Sequence, residues 1–171
     1  MTEVNSKSDN FAAIDPYGTL PTVNLMPVEQ PQSNERYVYQ SYEITSERKS
    51  SIGRMLLGPR KSVGKCRTMS EVATNERWFV RISVGNNRGK GYGTAAYLEA
   101  ISKALKEGYS FRTHKNSIQS KDAKRVWERL AAAGIARVIM PFQELGPEAG
   151  AYAGEYEGHY TVEPERVAEI L

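Results

Sequence analysis

Three stretches in the first half of the chain predict strands, and in the third of them positions alternate with a period of two. "RYVYQSYEI" (36–44) is rich in β-branched and aromatic residues, and "IGRMLLG" (52–58) is followed by a Gly58-Pro59 break. In "RWFVRISV" (77–84), Trp78, Val80, Ile82 and Val84 alternate with Phe79, Arg81 and Ser83. The period then becomes helical from about Thr94, with Tyr97, Leu98, Ile101, Ala104 and Leu105 on one face. Lys103 and Lys106 suit the negative end of that helix, and Gly108 suits its stop. "YSFRTH" (109–114) reads as a short strand. Ser120, an N-cap with Asp122 in the first turn, opens a second helix with a stripe of Ala123, Val126, Trp127, Leu130 and Ala131, ended by Gly134. "ARVIMPF" (136–142) and "YEGHYTV" (156–162) are the last strands.

This order of elements predicts an α/β fold, a single-domain mixed β-sheet flanked by helices. At 171 residues the chain suits one domain with a substantial core. Residues 1–35 hold Pro16, Pro21, Pro27 and Pro31 and sustain neither period, so they read as a flexible N-terminal arm before a domain over 36–171.

Charge alters this picture. Residues 1–35 carry five acids and one base, residues 143–171 carry seven acids and one base, and the 107 residues between hold 21 bases against eight acids. A surplus of +13 in that central stretch calls for an anionic partner, such as cofactor phosphates, a nucleic acid or an acidic protein, or for a basic surface balanced by the chain's own acidic ends. The lone Cys66 excludes an internal disulfide, no apolar run approaches a membrane span, and the polar start "MTEVNSKSDN" is unlike a signal peptide. The sequence therefore reads as cytoplasmic, with no membrane partner.

The positive charge and the glycines meet in "NNRGKGYGTAAY" (86–97), between the third strand and the first helix. Gly89, Gly91 and Gly93 let the chain bend so that the unpaired first amides of the helix converge, and Arg88 and Lys90 add attraction for an anion. The spacing G-x-G-x-G is not the dinucleotide fingerprint G-x-G-x-x-G. "GPRKSVGKC" (58–66) has five residues between its glycines and then Lys65-Cys66, so it is not a nucleoside triphosphate loop.

Arg88, Gly91 and Gly93 do fit R-x-x-G-x-G followed directly by a helix. Downstream, "SKDAKRVWERLAAAGI" (120–135) places Ser120, Ala123, Trp127 and Gly134 in a second pattern. On these two motifs the stretch 78–135 resembles the GCN5-related N-acetyltransferases. The resemblance implies acetyl-coenzyme A as co-substrate and transfer of its acetyl group to an amine acceptor on a protein, a small molecule or a nucleic-acid-linked target. It assigns Ile82, Ser83 and Val84, on a bulged strand, to the pantetheine arm. It assigns Arg88, Gly89, Lys90, Gly91, Tyr92, Gly93 and Thr94 to the pyrophosphate, and Ser120 joins the cofactor set as the start of the second motif.

Two departures bear on chemistry. "VGNN" (84–87) lacks the proline and aromatic residue usual before the arginine, and Trp127 stands where many members carry a tyrosine that protonates the leaving thiolate. Glu43, Glu71 and Glu76 flank predicted strands as candidate bases, and His114 and His159 are the chain's two histidines. No Cys/His cluster has metal spacing, and Cys66 has no evident activating histidine. The catalytic residue stays unassigned. The alternative is a non-catalytic binding module of the same fold, for nucleic acid or protein, or a virion or assembly component, and a homodimer is admitted.

Overall fold

The computed structural model describes residues 12–28, 32–33, 37–48, 50–62, 76–83, 91–114 and 116–170. Two compact units share the chain, a flanking unit of Met1–Gly18 with Arg112–Leu171 and an inserted unit of Thr19–Phe111. The fold is the expected α/β type with helices flanking the strands, which form two sheets, the larger of them mixed.

The inserted unit contains β1 (Val23–Pro27), β2 (Gln32–Ser33), β3 (Tyr37–Ser46), β4 (Ser51–Ser62), β5 (Glu76–Ser83), helix α1 (Tyr92–Lys106) and β6 (Ser110–Phe111). Its sheet runs β1-β3-β4-β5-β6 with β2 also on β3, antiparallel except for the parallel β5–β6 pair. Residues 23–27, where no strand period is legible, pair with β3 from Val23↔Ser46 to Pro27↔Tyr42. Pro27 lies at the end of this edge strand, where a missing N–H is tolerated.

Nor does Gly58-Pro59 end β4, which continues to Ser62. The ladder with β5 stops at Gly58↔Trp78, and the register with β3 shifts between Gln40↔Leu57 and Val38↔Lys61. Pro59 thus sits in an irregularity on a locally one-sided strand, a place where proline removes no ladder bond. Ile44, Met55, Leu57 and Trp78 are buried in this unit, as are Ala96, Ala100, Ile101 and Ala104 of α1. The helix lies against β1, β5 and β6. Its small residues allow close approach, while Leu105 is only half-buried.

The flanking unit holds β7 (Ile118–Gln119), α2 (Lys121–Ala132), β8 (Ala136–Glu144), a 3-10 segment (Pro147–Tyr152), β9 (Tyr156–Val162) and α3 (Pro164–Ile170). Its antiparallel sheet runs β7-β9-β8. Val126, Trp127 and Leu130 form the buried stripe of α2, as the sequence period predicts, with Ala123 and Ala131 half-buried at its margins. The strand expected over 109–114 is reduced to Ser110–Phe111 plus a single bridge between Arg112 and Thr161. Thr113 then bonds Tyr160, donating its N–H to the carbonyl at 3.0 Å while its hydroxyl accepts the Tyr160 N–H at 3.3 Å.

Candidate functional site

The strand leading toward the glycine turn is irregular at one position. β5 pairs with β4 as Arg54↔Ser83, Met55↔Ile82 and Leu56↔Arg81, then as Leu57↔Phe79 and Gly58↔Trp78. Val80 is therefore the extra residue of a β-bulge, which disrupts the ladder and sharpens the local twist. On its other side β5 meets β6 only at Glu76↔Ser110 and Arg77↔Phe111. From Phe79 to Ser83, no strand of the inserted unit lies along that second edge among the described residues. An unpaired edge offers N–H and C=O groups to an extended ligand. Ile82 and Ser83 belong to this stretch, whereas Val84, Arg88, Gly89 and Lys90 lie outside the described residues, as do Glu71 and Cys66.

The structure resumes at Gly91, with φ 85° and ψ 1° in the left-handed region. Side chains with a Cβ avoid this conformation, and glycine adopts it freely. The helix starts two residues earlier than its apolar period indicates, at Tyr92, and the Ala95 N–H donates to the Gly91 carbonyl at 3.0 Å. Gly91 at the N-cap has no side chain to cap this end and no acid lies in the first turn, so the amides of Tyr92, Gly93 and Thr94 have neither an intrahelical partner nor a carboxylate in that turn. Tyr92 and Gly93 are half-buried and Thr94 is buried. Leu20 and Pro21 pack at this turn: a Cβ on Gly91 would stand 3.1 Å from Pro21 Cδ and 3.4 Å from Leu20 Cδ1. Nothing in the pattern of residues 1–35 indicates that contact.

In the flanking unit, Ser120 caps α2 through its side chain, whose Oγ accepts the Ala123 N–H at 3.2 Å. That bond occupies the hydroxyl with the helix's own amide. Trp127 is 1% exposed, its ring 6.3 Å from that of Tyr160 and tilted by 58°. It is a core residue and presents no acid. Phe142 stacks on the same Tyr160 at 4.6 Å, and burial pushes the Tyr160 phenol above its ordinary value. Burial also pushes His114 below its ordinary value, against the pull of its bond to Asn116 Oδ1 at 2.8 Å, and the Arg112 charge adds to the push. His159 lies opposite Met140 in the β8–β9 ladder, and Glu43 opposite Arg54 in the β3–β4 ladder. Glu76 starts β5. Glu43, Glu76 and His159 thus lie on three different strands, and His114 lies between β6 and β7. The described residues hold no group of three or more His, Cys, Asp or Glu able to bind a metal, and no helix long and apolar enough to cross a membrane.

No protein-family model matches the chain, and no curated protein matches it by sequence. Solved structures do resemble it. A chimera of the Vibrio cholerae spermidine N-acetyltransferase SpeG with hSSAT superposes with a TM-score of 0.51 at 10% identity, over 86% of this chain and 98% of that one. A second such chimera gives 0.48 at 8% identity, over 76% and 70% of the two chains. A Bacillus subtilis acetyltransferase in complex with CoA gives 0.47 at 15% identity, over 82% and 99%. A mixed sheet with a bulged strand, a glycine turn into a helix and a second capped helix downstream are the elements expected from the two motifs, and the chain has the fold of the GCN5-related N-acetyltransferases.

Proposed function

We propose that the chain transfers an acetyl group from acetyl-coenzyme A to an amine acceptor. The observation that carries this reading is the bulge at Val80 on the open edge of β5, on a strand that leads toward the uncapped, left-handed start of α1 at Gly91. Those features fit a ligand with an extended amide-bearing arm and a phosphate end. The arm can add to the strand edge, and the phosphates can take the helix amides. Acetyl-coenzyme A supplies an acetyl group activated as a thioester, and this is the cofactor that the R-x-x-G-x-G resemblance implies.

In this assignment Ile82, Ser83 and Val84 run beside the pantetheine arm, and the main chain from Arg88 to Thr94 holds the pyrophosphate. Arg88 and Lys90 add charge to that grip. Holding donor and amine in one geometry supplies much of what acyl transfer between them needs. Trp127, buried and without an acidic proton, donates nothing to the departing sulfur, so protons travel by water or another side chain. The acceptor is an amine presented neutral.

Calorimetric titration of the full chain with coenzyme A tests the first step. Micromolar binding is expected, and no binding at high micromolar coenzyme A overturns the reading. Incubating candidate amines with acetyl-coenzyme A and following acetyl addition by mass spectrometry tests the second. Gly91→Glu and Lys90→Glu are both expected to abolish coenzyme A binding, with circular dichroism confirming that each variant is folded. Transfer by folded variants as fast as by the parent places the donor elsewhere.

A further inference from the structure

β8 is the outer strand of the β7-β9-β8 sheet, and no strand pairs with its far side among the described residues. Its sequence, "ARVIMPFQE", sets the apolar run 138–142 between Arg137 at one end and Gln143 and Glu144 at the other. Ala136 is buried, and Phe142 turns inward to stack on Tyr160. Between these anchors Val138 is 43%, Ile139 51% and Met140 38% exposed. Helix α2 packs against β8 and β9 and still leaves these three side chains in water.

The register explains how they come to be there. Val138 pairs with Tyr160 and Met140 with His159, so Ile139 is an extra residue on β8, and the ladder shifts again before Gln143↔Glu157. A bulge bends its strand and re-aims the side chains at it. Here it delivers three successive apolar residues to one exposed stretch of an edge, a run that is unfavourable in water unless something covers it. Pro141 offers no N–H, and with the two register shifts it interrupts main-chain pairing along the edge, which discourages open-ended strand addition. A short contact between side chains is what the edge can still make.

Charge selects the occupant. β8 begins with a cation, Arg137, and ends with an anion, Glu144, so the strand is complementary to itself when reversed. A two-fold axis at Met140 sets Arg137 opposite the partner's Gln143 and beside the partner's Glu144. Arg137 meets Glu163 through Nε at 2.9 Å while its side chain stays 66% exposed, and the five N–H groups of a guanidinium can serve a second carboxylate.

We propose that the chain forms a homodimer through β8, the two strands antiparallel about a two-fold axis at Met140. Val138, Ile139 and Met140 pack on their copies, and Arg137 at each end meets the partner's Glu144. The axis closes the contact, because an isologous patch is occupied by one partner. None of these residues belongs to the proposed donor set, so the dimer does not depend on acetyl transfer.

Sedimentation equilibrium of the full chain tests the proposal. A monomer–dimer equilibrium with a midpoint in the range of about 1–100 µM is expected. Met140→Lys brings two like charges together at the axis and is expected to weaken the dimer at least tenfold, with circular dichroism checking that the variant is folded. Arg137→Glu and Glu144→Arg, each alone, set like charges at both ends of the contact and are each expected to weaken it at least tenfold. An equimolar mixture of these two variants sets opposite charges at both ends, and is expected to form mixed dimers within several-fold of the parent's affinity. The intramolecular pair with Glu163 stays lost in that mixture, so recovery reads the contact between chains. A parent that is monomeric at about 500 µM, a folded Met140→Lys variant that dimerises as tightly as the parent, or a mixture that associates no better than either variant alone overturns the proposal.

Discussion

Gly91 and Gly93 stand two positions apart, and an added methyl acts on them with opposite sign. Gly91 has positive φ and Pro21 Cδ 3.1 Å from where a Cβ would lie. Gly91→Ala is therefore expected to cost about 1–2 kcal/mol for the left-handed conformation alone. Gly93 is helical, and a Cβ there meets nothing within 4 Å. Gly93→Ala is expected to add about 0.5–1 kcal/mol by lowering the entropy of the unfolded chain. Urea midpoints at unchanged slope measure both. The sequence shows that the loop is glycine-rich, but glycines needed for φ and glycines needed for space look alike until the backbone is placed.

His114 gives a pH signature at the same scale. Its folded pKa lies below its ordinary value near 6.5, so the unfolded chain binds the proton more readily. The corresponding stability is fully present above the unfolded value and is lost as pH falls through 6.5 toward the folded one. The urea midpoint of the parent is expected to fall between about pH 8 and about pH 5.5, with His114→Gln showing a flatter profile over that window.

Among the elements, α2 is the most legible. Its cap, stripe and stop are local in sequence, and Ser120, Val126, Trp127, Leu130 and Gly134 occupy the expected places. Ser120→Ala is expected to cost about 1 kcal/mol, within a range of roughly 0.5–2, read by thermal or urea unfolding. Ser120→Asp is expected to restore most of it, because an aspartate oxygen can take the Ala123 amide. The strands are legible in type and less so in extent. Pro59 is a break signal only where both sides of a strand are paired, and β4 loses β5 at Gly58. The bulge at Val80 has no local signal, because it consists in the mismatch of two registers on β4. The burial of Arg77 has no local signal either. Its burial follows from α1 and Tyr109, which lie 15 or more residues further along the chain.

For the whole molecule, the acidic start, basic centre and acidic end are plain in the sequence, but they do not mark its structural divisions. The inserted unit begins at Thr19, inside the segment read as an arm, and ends at Phe111, between a strand and a bridge. Ile14, from the part of the arm assigned to the flanking unit, is 2% exposed. Ile14→Ala is expected to cost about 2–5 kcal/mol, as for other buried isoleucines. Hydrogen exchange should show the loss of protection in α2 and β9 and not in α1. A uniform loss would mean that the two units unfold as one.

The interleaving of the units also sets a schedule for synthesis. Domains generally fold as units while the chain emerges, earlier residues first. Thr19–Phe111 is complete before any residue from Arg112 onward has left the ribosome, so its sheet and α1 can close while Met1–Gly18 still lacks the 60 residues of its own unit. A nascent chain arrested once Phe111 has cleared the ribosome would then already carry the bulged β5, the left-handed Gly91 and α1, before any of β7, α2, β8 and β9 can form.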